Sequence, residues 1–126
     1  MVGLVVVSHS PKAADGIAEV AREMGGDAPI EPVGGDGSGG IGTVPDDIED
    51  AIVRADDGNG VVVLVDLGSA VMNAEVAIEM SDANAVIADA PVLEGALNAA
   101  VAASGPNATM DSVREQAQAA GDIQKL

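Results

Sequence analysis

Two uninterrupted runs of branched apolar residues constrain the fold of this chain more than any other feature. Leu4–Val7 and Val61–Val65 contain no polar residue, and each run stops abruptly at a short polar segment. A strand that is apolar on both faces is typical of a parallel sheet that helices cover on both sides. The two runs therefore predict central strands of an α/β sheet.

Strand-like and helix-like segments alternate along the rest of the chain. Weaker strands are predicted at Ile30–Val33 and Ala85–Ile87. Helices are predicted from Pro11 to Gly25, from Thr43 and Pro45 along the face of Ile48 and Ile52, from about Ala70 to Met80, beyond Pro91 as far as Gly105-Pro106, and from about Thr109 to Ala120. The order β-α-β-α-β-α-β-α-α predicts an open, mainly parallel, three-layer α/β sheet with helices on both faces. We expect one domain over residues 1–126, a flavodoxin-like strand order 2-1-3-4, and a flexible tail after about residue 120.

The core has to be built without aromatic side chains. The 126 residues include no Phe, Trp or Tyr, although 48% of them are hydrophobic. We therefore expect Val, Ile, Leu, Ala and Met to form the core, with Met24, Met72, Met80 and Met110 filling the space that aromatic rings would occupy.

The charge and the lack of cysteine exclude several functional classes. The chain has 21 acidic and 5 basic residues, a net charge of −16 and no cysteine. Such a field repels phosphate backbones and anionic membranes, so neither nucleic acid nor a membrane is an expected partner. Disulfides, thiolate zinc sites and a cysteine nucleophile are excluded. Without a spanning apolar run or a basic signal-like N-terminus, the sequence predicts a soluble cytoplasmic protein, and neither a metal site nor a cofactor is expected.

The acidity also indicates the solvent in which the protein works. At about 1 M salt the Debye length falls to roughly 3 Å, and repulsion between surface carboxylates largely disappears. We therefore predict a halophilic protein. Melting curves against KCl check this, because stability that is flat or falls with salt would contradict it.

Polar residues at the ends of the two central strands form the candidate site. His9 follows the first apolar run and Asp66 follows the third strand. In strand order 2-1-3-4 the ligand crevice lies between the first and third strands, beyond their carboxyl ends. The sequence therefore predicts that His9 and Asp66 face each other across this crevice.

An imidazole paired with a carboxylate is suited to phosphoryl transfer. A carboxylate that accepts the proton of one ring nitrogen leaves the other nitrogen free to attack phosphorus, and it stabilises the imidazolium as charge develops. Backbone N–H groups near Ser10 and Ser69, at two predicted helix starts, are suited to binding phosphoryl oxygens, and Lys12 lies nearby in sequence. The residues alone leave alternatives open: His9 as a surface or packing residue, Asp66 as a helix cap, and Lys12 as a solvated side chain.

The glycine-rich stretch from Gly34 to Gly42 carries little information by itself. It lacks the Gly-Lys-Ser/Thr of a P-loop and does not match a dinucleotide fingerprint. It follows the second predicted strand, so it is either a flexible loop or a lid over the crevice.

Three segments resemble a known family. Leu4–Lys12, Ile41–Thr43 and Val65–Ala70, with Ala74-Glu75, are similar to the phosphotransferase subunit of dihydroxyacetone kinase (DhaM type), whose fold is that of the mannose-type enzyme IIA domain of the phosphotransferase system. The resemblance covers nearly the whole chain, and its Ser-His-Ser and Asp-x-Gly-Ser-Ala motifs are specific.

The resemblance implies a phosphotransferase with a phosphohistidine intermediate. His9 matches the histidine that accepts a phosphoryl group on Nε2 from the phosphocarrier HPr and passes it to ADP on the DhaL subunit, so that dihydroxyacetone is phosphorylated on DhaK. Asp66 matches the aspartate beside that histidine, and Thr43 lies in a loop near the active site. With Ser10, Gly68 and Ser69, Thr43 completes the expected phosphate-binding set. A homodimer and a role in glycerol metabolism are also implied. Some members of the family carry fused HPr-like and enzyme I-like domains, and because one domain is expected here, we expect the phosphoryl donor to be a separate protein.

Three alternative functions remain open. The first is a mannose- or fructose-type sugar-transport enzyme IIA domain, although such domains usually carry Trp-Gly-Gly after the aspartate where this chain has Leu67–Ala70. The second is a regulatory binding module whose His9 phosphorylation only signals state. The third is a flavodoxin-like small-ligand binder with an inert histidine, which would carry no acid-labile phosphate.

Overall fold

The strands and helices follow the order expected from the sequence. The computed structural model describes all residues, 1–126. Its elements are β1 (Gly3–Ser8), α1 (Pro11–Gly25), β2 (Ile30–Gly34), α2 (Pro45–Ala55), β3 (Val61–Val65), α3 (Ser69–Met80), β4 (Ala85–Ile87), α4 (Val92–Ala103) and α5 (Met110–Ala119). After α5 the chain forms a 3-10 turn at Ala120–Asp122, and Lys125, in the tail expected to be flexible, pairs with Glu94 at 2.6 Å.

All four strands form one parallel sheet in the order β2-β1-β3-β4, which confirms the predicted α/β fold and strand order. The register pairs Val7 of β1 with Val65 of β3, so these two strands end at the same level. The residues after β1 and those after β3 therefore lie side by side at the carboxyl edge of the sheet.

Alternate residues of β1 face opposite layers. Leu4 and Val6 belong to a core cluster with α1, α4 and α5, whereas Val5 and Val7 pack against α2 and α3. Both central strands are fully buried apart from Val65 at the end of β3, as their all-apolar sequences predict.

The helices bury alanine rather than methionine, so the expectation about methionine is wrong. Met24, Met72 and Met80 are 63%, 73% and 44% exposed, and Met110 only packs against the edge of the core. The buried positions of α1 and α4 are small residues: Ala14, Ala18, Ala21, Gly25, Gly95, Ala96, Ala99, Ala100 and Ala103. Small side chains let helices and sheet approach closely, so no space is left for methionine to fill. Where α1 meets α4, a methyl group on Gly25 would overlap with Ala100.

A bilayer-spanning helix needs about 20 mostly apolar residues. None of the helices in this structure combines that length with the necessary hydropathy.

Candidate active site

The ends of β1 and β3 form a notch that brings His9 and Asp66 together. The backbone N–H of Asp66 donates to the carbonyl of Val7 at 3.1 Å, which extends the β1–β3 ladder by one bond. His9 Nδ1 lies 3.0 Å from Asp66 Oδ1, and each of the two side chains is 20% exposed. The predicted meeting of these two distant residues is thus present in the structure.

The hydrogen bonds around the Asp66 carboxylate determine which ring nitrogen carries the proton. Oδ2 accepts from the backbone N–H of His9 at 3.0 Å, and Oδ1 accepts from that of Leu67 at 2.8 Å. Because a backbone N–H can only donate, both oxygens act as acceptors, as in an ionised carboxylate. Nδ1 must then donate to Oδ1, and the lone pair of a neutral ring resides on Nε2.

The pKa of Asp66 reflects two opposing effects. Partial burial raises it, but hydrogen bonds from the His9 backbone, the His9 ring and the Ser8 hydroxyl lower it, and the net pKa lies below the ordinary value of 3.8. Ser8 is 2% exposed, and its hydroxyl donates to Oδ2 at 2.9 Å. Asp66 is therefore held as the anion, which is the form that fixes the His9 tautomer.

The start of α3 lies against the free nitrogen of His9. Ser69 Oγ is 2.9 Å from Nε2, and because Nε2 accepts, the serine hydroxyl donates. No side chain caps α3, and its first turn contains no acidic residue, so Asp66 does not act as its cap. The first N–H groups of a helix have no partner within it and carry the positive end of its dipole. Gly68 and Ser69 are exposed at this end.

Ser10 is occupied within the chain, which differs from its predicted role in binding phosphate. Its Oγ accepts from the backbone N–H of Ala13 at 3.3 Å and so caps α1, as a serine at this position should. Its own N–H donates to Ser8 Oγ at 3.1 Å. Lys12 is exposed and forms no ion pair.

The glycine-rich loop is organised around the carboxylate of Asp36, and its last residue, Gly42, is hydrogen-bonded to the backbone of His9. Asp36 Oδ1 accepts from the backbone N–H groups of Ser38 and Gly40 at 2.8 and 2.9 Å, and these bonds lower the pKa of Asp36. The N–H of Gly42 donates to the carbonyl of His9 at 2.9 Å. The loop thus borders the notch through its last residues.

Thr43 does not cap a helix. α2 begins at Pro45, and its N-cap, Val44, offers no side-chain bond. Instead Thr43 Oγ1 accepts from Nδ2 of Asn73 at 2.7 Å. Of the three predicted phosphate-binding residues with a hydroxyl group, only Ser69 contacts the His9 ring, whereas Ser10 and Thr43 are hydrogen-bonded to other residues.

Sequence reasoning missed Ser8 and Asn73. Ser8 belongs to the Ser-His-Ser motif but reads as the end of a strand. Asn73 lies four residues after Ser69, and two residues at this spacing share a face of a helix. That signal becomes useful only once Ser69 is placed at the notch and Thr43 is placed opposite α3.

Three exposed apolar side chains lie close in sequence to the residues of the notch. Ile41, Leu67 and Met72 are 72%, 57% and 73% exposed, and each lies one to three residues from a residue that contacts His9 or Asp66. A cleft of about 340 Å³ opens beside Asp66 and Leu67 and is lined also by Val71 and Ile87. No group of three His, Cys, Asp or Glu side chains that could hold a metal ion is present.

Comparison with known proteins identifies the family of this chain. The model of the EIIA-man family, described as PTS system fructose IIA component, matches residues 3–114. The phosphotransferase subunit DhaM of the PTS-dependent dihydroxyacetone kinase from Lactococcus lactis subsp. lactis (strain IL1403) is 35% identical over 114 residues, which cover 90% of this chain and 91% of that protein. The phosphoryl donor subunit DhaM of PEP-dependent dihydroxyacetone kinase 2 from Listeria innocua serovar 6a (strain ATCC BAA-680 / CLIP 11262) is 40% identical over 106 residues, with coverage of 80% and 85%.

A solved structure has the same fold over the whole chain. The crystal structure of the unknown function protein EF1359 superposes with a TM-score of 0.84 and 30% sequence identity, covering 100% of this chain and 99% of that one. Together these similarities confirm the family resemblance that the motifs predicted.

Proposed function

Since this chain belongs to the EIIA-man family of phosphotransferase-system IIA components, and within it is of the DhaM type, we propose that it is the phosphoryl donor subunit of a phosphoenolpyruvate-dependent dihydroxyacetone kinase. One observation carries the proposal: the hydrogen-bonded series Asp66–His9–Ser69, which leaves a lone pair on Nε2 beside an uncapped helix start.

The transfer step follows from these contacts. The Nε2 lone pair attacks phosphorus, the N–P bond forms, and the bond from phosphorus to the donor's leaving atom breaks with its electron pair staying on the donor. The ring becomes an imidazolium-like cation, which the Asp66 carboxylate stabilises through Nδ1–H. Ser69 loses its acceptor on Nε2, and its hydroxyl hydrogen turns to a phosphoryl oxygen.

The start of α3 supplies the remaining recognition of phosphate. The backbone N–H groups of Gly68 and Ser69 have no acceptor within the chain, and the first turn of α3 contains no acidic residue. An anion at this helix end is favoured by the helix dipole and by the free N–H donors. In a chain with a net charge of −16, such a local site permits phosphate to bind where the surrounding field would repel it.

The proposed route begins at phosphoenolpyruvate and passes through an HPr-like phosphocarrier to His9. From His9 the group moves to ADP on a DhaL-type subunit: the Nε2–P bond breaks and a bond to the terminal phosphate oxygen of ADP forms. The ATP so produced phosphorylates dihydroxyacetone on a DhaK-type subunit. The exposed apolar rim of Ile41, Leu67 and Met72 supports donors and acceptors that are proteins, because such a rim is buried when a protein docks over the notch.

Labelling with radioactive phosphoenolpyruvate, enzyme I and HPr tests the proposal. We expect acid-labile, base-stable label on the wild type and none on His9→Ala, which should keep the wild-type fold by circular dichroism because His9 is not part of the hydrophobic core. Addition of DhaL-type and DhaK-type subunits with ADP should then discharge the label into dihydroxyacetone phosphate. Label that persists on His9→Ala would refute His9 as the acceptor.

A sugar-transport role is the second candidate, because the matching family model is described as a fructose IIA component. The acceptor to which phosphorylated His9 transfers its phosphoryl group distinguishes the two functions. Discharge to a sugar through a membrane transporter fraction, with no turnover of dihydroxyacetone, would favour the transport function over the kinase.

We also propose that the chain is a homodimer adapted to concentrated salt, as its resemblance and its net charge of −16 suggest. Sedimentation equilibrium measures the oligomeric state, and melting curves at low and at molar KCl measure the dependence of stability on salt. A monomer at every salt concentration would contradict the dimer.

A further inference from the structure

Asn73 joins α3 to the end of the glycine-rich loop. Its Nδ2 lies 2.7 Å from Thr43 Oγ1 and 3.3 Å from the carbonyl oxygen of Thr43. Asn73 is half-buried and stands one helical turn after Ser69. The contact thus spans the notch from the helix that holds Ser69 to the loop that ends at His9.

The backbone carbonyl determines how the amide of Asn73 is oriented. A carbonyl oxygen can only accept, so the group facing Thr43 must be the NH₂ and not the amide oxygen. Nδ2 has only hydrogens to offer, and Thr43 Oγ1 is therefore the acceptor of the 2.7 Å bond. The single hydrogen of the Thr43 hydroxyl is not used in this bond and has no acceptor within the chain.

Hydrogen bonds on two sides hold Thr43 in place. The preceding residue, Gly42, donates its N–H to the carbonyl of His9 at 2.9 Å, while Asn73 holds the side chain and carbonyl of Thr43 against α3. Ser69, on the same helix, donates to His9 Nε2 at 2.9 Å. The unused hydroxyl hydrogen thus belongs to a residue that is bonded to the helix of Ser69 and directly follows the residue bonded to His9.

We propose that Asn73 is a positioning residue that holds Thr43 with its hydroxyl hydrogen free to donate to the phosphoryl group on His9. The inference rests on the proposed phosphoryl transfer at His9 and extends it to a residue that does not touch the ligand. Without Asn73, the threonine hydroxyl can rotate, and part of its donation is lost to other acceptors or to water.

The expected size follows from the bond at stake. A hydrogen bond to a charged group is worth a factor of about 10 to 100 in rate when it forms fully in the transition state. We expect Thr43→Val to lower the maximal rate of His9 labelling by about 10- to 100-fold and Asn73→Ala by about 10-fold. The donor concentration at half-maximal rate should stay unchanged in both, because neither residue is part of the exposed apolar rim.

Four further variants distinguish positioning from a structural role. Thr43→Ser keeps the hydroxyl and should retain most of the rate. The double variant Asn73→Ala/Thr43→Val should be no slower than Thr43→Val alone, because Asn73 acts through Thr43. Asn73→Asp should be slower than Asn73→Ala, since a carboxylate accepts the threonine hydrogen and adds negative charge. Asn98→Ala is the matched control, because Asn98 also donates from a helix, to the carbonyl of Gln116 at 3.2 Å, and it should label normally.

A second measurement separates this inference from the proposed function. Phosphoramidate phosphorylates histidine chemically, so His9 can be loaded without enzyme I or HPr, and the lifetime of phosphohistidine is followed by ³¹P NMR. We expect shorter lifetimes in Asn73→Ala and Thr43→Val and a wild-type lifetime in Asn98→Ala. If HPr fails to label the protein but the lifetimes differ between the variants as expected, the proposed donor is overturned and the positioning role is supported. Multiplicative losses in the double variant, or equal lifetimes in all variants, would overturn the positioning role.

Discussion

The starts of α1 and α3 flank the same histidine but are built in opposite ways. α1 has proline at its first position, and the Ser10 side chain caps it. α3 has no capping side chain, and its first serine points to His9 Nε2 instead. Both first turns lack acidic residues, whereas those of α2, α4 and α5 contain Asp46 and Asp47, Glu94 and Asp111.

The contrast shows how the chain divides structural and binding roles between two similar serines. An acidic residue in the first turn stabilises a helix through its dipole, and three of the five helices have one. Leaving α3 without acid or cap forgoes that stabilisation but keeps its N–H groups open to an anion. The start of α1 is therefore stabilised by its own cap, whereas the N–H groups at the start of α3 remain available to bind a ligand.

The largest expected effect comes from Asp66→Asn, because Asp66 links the two helix starts through Ser8, His9 and Leu67. An amide has only one accepting oxygen, so in either orientation its NH₂ meets a backbone N–H, that of His9 or of Leu67. The His9 tautomer is then no longer held. We expect transfer to fall by about 10²- to 10⁴-fold, measured as the rate of His9 labelling.

The same variant has a signature in acid. The folded-state pKa of Asp66 is lowered, so its contribution to stability is present above the ordinary carboxyl pKa near 4 and is lost as the pH falls through the folded value. Asp66→Asn should therefore show a shallower loss of stability below about pH 4 than the wild type. Parallel acid-unfolding curves would contradict the ionised, hydrogen-bonded state of Asp66.

An intermediate effect separates the two serines. Ser69→Ala removes the donor to Nε2 and should slow labelling by about 10-fold, with an unchanged free energy of unfolding. Ser10→Ala removes a helix cap and should cost about 1 kcal/mol of stability while labelling stays within about twofold. The opposite pattern, in which Ser10→Ala slows His9 labelling and Ser69→Ala lowers the free energy of unfolding, would contradict the roles assigned to the two helix starts.

The smallest effect tests why the start of α3 is free of acid. Met72 is 73% exposed on the second turn of α3, and Met80 is 44% exposed at the other end of the same helix. Met72→Glu should slow the phosphorylation of His9 by phosphoramidate, which needs no docked protein, by about two- to threefold at low salt, and molar KCl should abolish the difference. Met80→Glu, with the same change of charge, should label like the wild type. Equal slowing by both would mean that net charge matters and local charge does not.

The sequence and the structure agree most closely where pattern alone is decisive. The bounds predicted for β3 and β4 match the structure, and those of α1 follow from proline at its start and glycine at its end. The sequence predicts less well which face of a helix is buried. Ile17, Val20, Ala21 and Met24 recur at helical spacing in α1, but of these only Ala21 is buried. The other buried residues of this helix are Ala14, Ala18 and Gly25. Alanine is only weakly hydrophobic, and its burial depends on how closely the neighbouring helix approaches.

The candidate site likewise has a part that the sequence predicts and a part that only the coordinates show. The order of strands and helices already brought His9 and Asp66 to one crevice, because the ends of neighbouring parallel strands meet at one edge of the sheet. The roles of individual polar atoms needed coordinates. Ser10 and Ser69 are both serines at helix starts, and only their hydrogen bonds show that one caps its helix and the other contacts the imidazole.

By itself, the sequence determined the α/β fold, the family and the pair of residues at the switch between β1 and β3. These follow from local periodicity and from topology, which are properties of the chain read in order. Only the tertiary structure decided which donors remain free, why the helices pack on alanine, and how Asn73 holds Thr43. Those properties depend on the distances between atoms far apart in the chain, and a hydrogen bond is made or lost within less than 1 Å.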